Sequence, residues 1–493
     1  MKPSESFVLE EASVASIHAA MHRGELTAVQ LVQAYLARIE ACDRRGPALR
    51  ALLTLNPRVL EQAAQLDAHW RAQQGRVGPL HGIPVILKDN FDTQDLPTTG
   101  GSVAMRHSQP RGDAFTVQRL REAGALVLAK ANLQEFARGG ISISSLGGQT
   151  LNPYDLTRTP GGSSGGTGAA IAANFAVLGT GSDTGQSIRS PASACCLVGV
   201  RPTRGLVSRG RVMPNSFTQD EVGPIVRTVE DAARLLSVMA GYDPRDPVTA
   251  LGAVRPPTDY LAALRADGLR GARIGLLEDA CGQEERHAEV NAVMEQVLRG
   301  MESLGATVLR LRIPGLEELT ARVSTDRWEA RAAFEQYFAG LGADQPVTGF
   351  RQLVESNTAV PPVQQAMEAE LAIEDGLTQP EYLQRIANRD RLRVMLASRL
   401  ADLGLDAILY PLQRILVVPA GEAEQAERNG VLSHGTGFPA VTFPGGFSRP
   451  TATAPLGVPI GAELLGPDFS EAKLLSYAYA FEQATRVRQP PRL

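Results

Sequence analysis

Seven histidines, four cysteines and one stretch rich in glycine and serine are the residues of this 493-residue chain whose types invite chemistry. His18, His22, His69, His81, His107, His287 and His434 form no HExxH pair. None sits near a cysteine at zinc-ligand spacing, so no metal site is expected. Cys42, Cys195, Cys196 and Cys281 match no CxxC site, and adjacent Cys195 and Cys196 do not easily bridge each other. The apolar ACC setting of Cys195 predicts an inert buried thiol. That leaves the stretch from Pro160, PGGSSGGTGAAIAANFAVLGTGSDTGQSIRSPASACC, which has almost no large side chains. It contains no GxxxxGK[ST] phosphate loop and no GxSxG elbow, and GTGSDTG at 179–185 lacks GxGxxG spacing. Its small residues alternate with apolar runs at 169–173 and 175–178, so backbone can approach backbone closely. Such a segment suits a site where main-chain N–H groups reach a ligand.

The flanking elements read as strands and helices in α/β order. The apolar run in HGIPVILKDN predicts a buried strand over 83–87, ending at Lys88 and Asp89. Asp113 is expected to cap a helix running through Glu122, Gly124 to end it, and 125–129 to form a second short strand. Upstream, Gly24 can close one helix, and Thr27 with Gln30 forms a capping box for the next. Leu31, Tyr35 and Ile39 recur there at helical spacing as one core-facing stripe. Thr228 starts a later helix, with Glu230 and Asp231 in its first turn. Beyond a Pro-rich connection, RIGLL and ATVLRLRI predict strands flanking a helix over about 284–304. Residues 316–404 read as mostly helical. Strands return at DAILYP, PAVTF and GVPIGAELL, before a final helix over about 470–485.

Several motifs in order resemble the amidase signature family: HGIPVILKDNFDTQDLPTTGGS, NPYDLTRTPGGSSGG, GSDTGQSIRSPAS, GVRPTRGLVSRGRV and VGPIVRTVEDAA. They span roughly residues 80–240, with weaker agreement through GFPAVTFPGG and the last helix. The resemblance implies an α/β fold, a large twisted mixed β-sheet covered by helices on both faces. It implies one amidase domain over 1–493. Within it, 1–75 form N-terminal helices, 76–245 a core with the catalytic residues, 315–405 a helical insertion and 406–493 a return to the sheet.

By the same resemblance Ser187 is the nucleophile, Ser163 an intermediate serine following a cis peptide bond, and Lys88 the base. The chemistry is coherent. A serine hydroxyl needs an adjacent base. A lysine serves only when uncharged, in a desolvated or electropositive site. Most lysines are solvated surface charges, but Lys88 ends an apolar strand. Main-chain N–H groups of Thr184, Gly185, Gln186 and Ser187 are implied as an oxyanion hole, with a helix starting near Ser187. Asp183 and Arg189 are expected to brace this turn, and Ser164 to support Ser163 by hydrogen bonding.

Two positions depart from the family pattern. Gln186 replaces a glycine, which requires a backbone outside the positive-φ region. Its carboxamide is then free to point into the pocket or brace the loop. Arg138 in NLQEFARGG stands where relatives place a small or apolar residue. It either selects an anionic or strongly polar substrate through a bidentate contact or is a surface arginine paired with a nearby carboxylate. Gly139, Gly140, Ile141, Tyr154, Phe217 and His434 are further pocket candidates.

A net charge of −4 offers no basic footprint for nucleic acid and no polybasic membrane anchor. The N-terminus, MKPSESFVLEE, has no signal-peptide core, and no apolar run approaches a membrane span. The expectation is a cytoplasmic amidase without cofactor, acting on a small-molecule amide, alone or as a homodimer. Two alternatives stand: a glutaminase subunit of a tRNA-dependent amidotransferase, and a nucleotide-binding protein cradling phosphate in PGGSSGG.

Overall fold

The computed structural model describes residues 7–342 and 344–493. The expected N-terminal helical region begins outside them, at 1–6. In chain order the described strands are β1 (Leu52–Leu55), β2 (Pro84–Lys88), β3 (Leu126–Ala131), β4 (Ile143–Ser144), β5 (Gly148–Gln149), β6 (Leu178–Asp183) and β7 (Val198–Arg201). Then come β8 (Glu221–Val226), β9 (Arg273–Leu277), β10 (Thr307–Leu311), β11 (Ala407–Pro411), β12 (Ala440–Phe447) and β13 (Pro459–Leu465). β4 and β5 form a small hairpin. The others build one eleven-stranded sheet in the order β1-β3-β2-β6-β8-β7-β12-β13-β11-β9-β10. β3–β2, β2–β6, β11–β9 and β9–β10 pair in parallel and the remaining neighbours antiparallel. This is the mixed α/β sheet with covering helices that the motifs imply.

Local signals explain most elements. Thr27 accepts from Gln30 N while Thr27 N donates to Gln30 Oε1, a reciprocal cap for the helix Ala28–Ile39. Thr228 accepts from Asp231 N at 3.1 Å to start Val229–Met239. The expected cap at Asp113 is not formed. Its carboxylate instead accepts from Gln94 N at 2.8 Å and pairs with Arg121 at 3.0 Å, so Phe115–Glu122 starts after Ala114 without a side-chain cap.

The glycine-rich stretch folds as helix Gly165–Ala172 laid on β2 and β6. In β6, Gly179 and Gly181 share one face because strand side chains alternate. A Cβ on Gly179 would lie 2.5 Å from Thr167 Cγ2, and one on Gly181 would lie 3.0 Å from Ser164 Oγ. The two glycines thus form a groove that lets this helix, and Ser164 before it, approach the sheet.

Among the described residues five α-helices lie between Leu316 and Asp402. Their Phe334, Phe338 and Phe350 form an apolar cluster with Met105, Phe136 and Met213 from the sheet side. At Gly166 a Cβ would lie 2.1 Å from the Asn132 carbonyl oxygen and 2.6 Å from that of Ala51. Gly166→Ala is therefore expected to destabilise the protein by about 1–3 kcal/mol or more, read as a lower denaturant midpoint.

Candidate active site

β2 and β6 run parallel, so Lys88 and Ser182 reach the same edge of the sheet from the ends of neighbouring strands. Lys88 is fully buried. Its Nζ lies 2.7 Å from Ser163 Oγ, 2.8 Å from Ser182 Oγ and 3.2 Å from the Ser182 carbonyl oxygen, three neutral partners. Burial favours the uncharged amine and lowers the Lys88 pKa to about 7, although the Asp183 and Asp220 carboxylates act the other way. Lys130, also fully buried, differs in having a carboxylate partner, Asp89, at 3.2 Å.

Ser163 follows a cis peptide bond from Gly162. Ser164 N donates to the Ser187 carbonyl oxygen at 3.2 Å, which lays the two serine-bearing segments side by side. The expected hydrogen bond from Ser164 to Ser163 is not made. The Ser164 hydroxyl donates instead to the Ser182 carbonyl at 3.3 Å, because the Gly181 groove seats it over β6.

Ser187, Thr184, Gly185 and Gln186 line a cavity of about 680 Å³. Among the described residues no protein acceptor takes the N–H groups of these four residues. Neither Gly185 nor Gln186 adopts the left-handed region, so glutamine is accommodated without backbone strain. The Gln186 Oε1 accepts from Gly430 N at 3.3 Å, so its carboxamide braces the turn against the chain at 430.

A buried ion network supports the turn from below. Asp183 accepts from Ile188 N at 3.0 Å, Arg189 Nε at 3.1 Å and Arg201 Nη1 at 2.9 Å. Burial alone would raise the Asp183 pKa, but the Arg189 and Arg201 guanidiniums outweigh it and hold the carboxyl well below its usual range. Arg189 also donates to Glu463 at 2.7 Å and to the Gly185 carbonyl at 2.5 Å. Glu463 in turn accepts from the Tyr410 and Thr442 hydroxyls, both at 2.6 Å. Thr184 donates to Asp220 at 2.6 Å, and Asp220 is further held by Asn215 N and Ser216 N.

Of the pocket candidates, Arg138, Gly139 and His434 line the Ser187 cavity. Arg138 Nη1 bonds both carboxylate oxygens of Glu370, and its guanidinium lies 5.1 Å from the Phe334 ring centroid. Its charge is thus matched within the wall. His434 is buried, and burial together with Arg389, Arg201 and Arg189 pushes its pKa well below the usual value. Gly140 and Ile141 are not lining residues, although Gly140 sits beside the Arg428 guanidinium on the wall. Tyr154 lies elsewhere: its hydroxyl donates to the Gln489 carbonyl at 2.6 Å, drawn there by the C-terminal segment. Phe217 lines a neighbouring cavity of about 300 Å³ with Ser182, Asp92 and Tyr337, which shares Thr184 and Asn215 with the first. Cys195 is fully buried, and burial raises its thiol pKa far above the usual value.

Residue-by-residue reading missed several members of this site. Ser182 and Arg201 fall inside quoted motifs but carry no separate signal. Glu463 could have been found, since a carboxylate inside the apolar strand GVPIGAELL demands a partner. Glu317, Asp326 and Glu370 come from the helical region and Arg428 from the loop before residue 430.

Known proteins share this architecture. The profile of the Amidase family matches residues 30–475. A probable amidase of Arabidopsis thaliana is 34% identical over 504 residues, covering 99% of this chain and 93% of that protein. A glutamyl-tRNA(Gln) amidotransferase subunit of Heliobacterium modesticaldum is 33% identical, covering 95% of this chain and 96% of that protein. The crystal structure of peptide amidase from Stenotrophomonas maltophilia superimposes with a TM-score of 0.87 at 37% identity, covering 98% of this chain and 99% of that one. The chain belongs to the amidase family, and amide hydrolysis is the activity this membership supports. No helix among the described residues is long and apolar enough to cross a membrane.

Asp183→Asn removes the carboxylate shared by two buried arginines. It is expected to cost about 3–5 kcal/mol of stability, measured by equilibrium denaturation.

Proposed function

We propose that this protein is a serine amidase that hydrolyses a carboxylic amide, at a C–N bond other than a peptide bond, through an acyl-Ser187 intermediate. The observation that carries the reading is the fully buried Lys88 amine, 2.7 Å from the Ser163 hydroxyl. Ser187 Oγ attacks the amide carbon, and its proton passes through Ser163 to neutral Lys88. The N–H groups of residues 184–187 meet the oxyanion as it develops, where such donors are worth about 10²–10³ in rate. The C–N bond then breaks, and the proton returns through Ser163 to the leaving nitrogen. Water repeats the sequence on the ester, releasing carboxylate and Ser187. No cofactor enters these steps. The substrate in this reading is a small-molecule amide, and the enzyme acts in the cytoplasm.

The cavity of about 680 Å³ accommodates acyl groups much larger than a simple aliphatic amide. Likeness to an amidotransferase component favours a second reading, a glutaminase that works only with a partner protein. An isolated chain that turns over a panel of simple and peptidyl amides supports the first reading, and strict dependence on added partner supports the second.

A fluorophosphonate is expected to label Ser187, and Ser187→Ala to lose essentially all turnover; labelling at another residue would sink the proposal. Lys88→Ala is expected to lower kcat by about 10²–10⁴-fold. The rate should rise as pH passes through about 7, because Lys88 is a cation below that pKa and a base above it.

A further inference from the structure

Two residues outside the proposed relay complete the hydrogen bonds of Lys88. A neutral lysine amine has two N–H donors and one lone pair. It faces three oxygens here: the Ser182 carbonyl, the Ser182 hydroxyl and the Ser163 hydroxyl. The carbonyl can only accept, so it takes one N–H. The remaining N–H and the lone pair are divided between the two hydroxyls. Only one division is productive. Ser163 must give its O–H to the lone pair, and the second N–H must go to Ser182 Oγ.

The surroundings of Ser182 favour that division. Asn90 Nδ2 donates to Ser182 Oγ at 2.9 Å. The same amide donates to the Met213 carbonyl at 3.2 Å, an acceptor that fixes which end of Asn90 is nitrogen. With Asn90 and Lys88 both donating, the two acceptor sites of Ser182 Oγ are filled, and its own hydrogen is left for the cavity of about 300 Å³ that Ser182 lines. We propose that Ser182, held by Asn90, is the positioning residue that turns the Lys88 lone pair toward Ser163. This rests on the reading of Lys88 as the base.

The charged groups around Lys88 are accounted for. Asp183, next to Ser182 on β6, is matched by Arg189 and Arg201. Asp220 is held by Thr184, Asn215 N and Ser216 N. Asp89, adjacent in the chain, pairs with Lys130, and Asp92 on the second cavity accepts from Tyr337 at 2.8 Å. Ser182 and Asn90 are neutral, so replacing the hydroxyl changes the amine's hydrogen bonds without changing this charge set.

The test is the pH profile of kcat and kcat/KM for Ser182→Ala and Asn90→Asp beside wild type and Lys88→Ala. Ser182→Ala deprives the ammonium of one acceptor. Its acid limb should move down by about one pH unit. Because the freed N–H then competes for Ser163, kcat should fall at least about tenfold, with KM changed less than about twofold. Asn90→Asp places a carboxylate beside the same oxygen and should move the acid limb up. An unmoved limb and wild-type kcat in Ser182→Ala, with Lys88→Ala inactive, overturns the role of Ser182 alone. Wild-type rates in Lys88→Ala overturn the base and this inference with it. The denaturant midpoint of each variant, compared with wild type, establishes that the protein is folded.

Discussion

An amine held away from water among neutral oxygens is the constraint on which the rest of this site depends. Taking an ammonium out of water is costly unless a counter-charge replaces its hydration. The fold applies both solutions within one region. Lys130 receives the Asp89 carboxylate, two carbonyls and two hydroxyls. Lys88 receives two hydroxyls and a carbonyl, and its equilibrium is displaced toward the free amine. The difference lies in the partners, since burial is complete for both.

Keeping carboxylates from neutralising that arrangement requires them to be engaged elsewhere. Asp183 lies one residue from Ser182, yet its oxygens are committed to Arg189, Arg201 and Ile188 N. Glu463 holds Arg189 and also accepts from the Tyr410 and Thr442 hydroxyls. Networks of this kind stabilise little relative to apolar packing but fix geometry through the bonds they make. Here the fixed element is the turn from Thr184 to Ser187, tied through the Gly185 carbonyl to Arg189.

The sheet and the helices beside it were legible in the sequence because their signals are local. The apolar run before Lys88, the Thr27 and Thr228 caps and the return of strands after residue 406 each carry their own pattern. Asp113 misled because a capping residue and a loop-bracing residue look alike until Gln94 and Arg121 are placed. Tyr154 misled for a related reason: aromatic type says nothing of where a loop will place the ring. Arg138 was visible as a departure, but its partner Glu370 lies 232 residues away in sequence. The family motifs brought Lys88, Ser163 and Ser187 forward together. The role of Ser182 follows only from counting donors and acceptors in three dimensions.

The cavity has two kinds of wall. Thr184 to Ser187 sit on a turn anchored to the sheet, whereas Glu317, Asp326 and Glu370 arrive on helices from a separate stretch of chain. The helices also meet a third stretch through side chains, where Arg138 reaches Glu370 beside Phe334. In the proposed function, reaction machinery and much of the recognition surface are written in different passages of the gene. On that proposal, mutation redrafts the second passage and the acyl group it welcomes, while the first is inherited unedited.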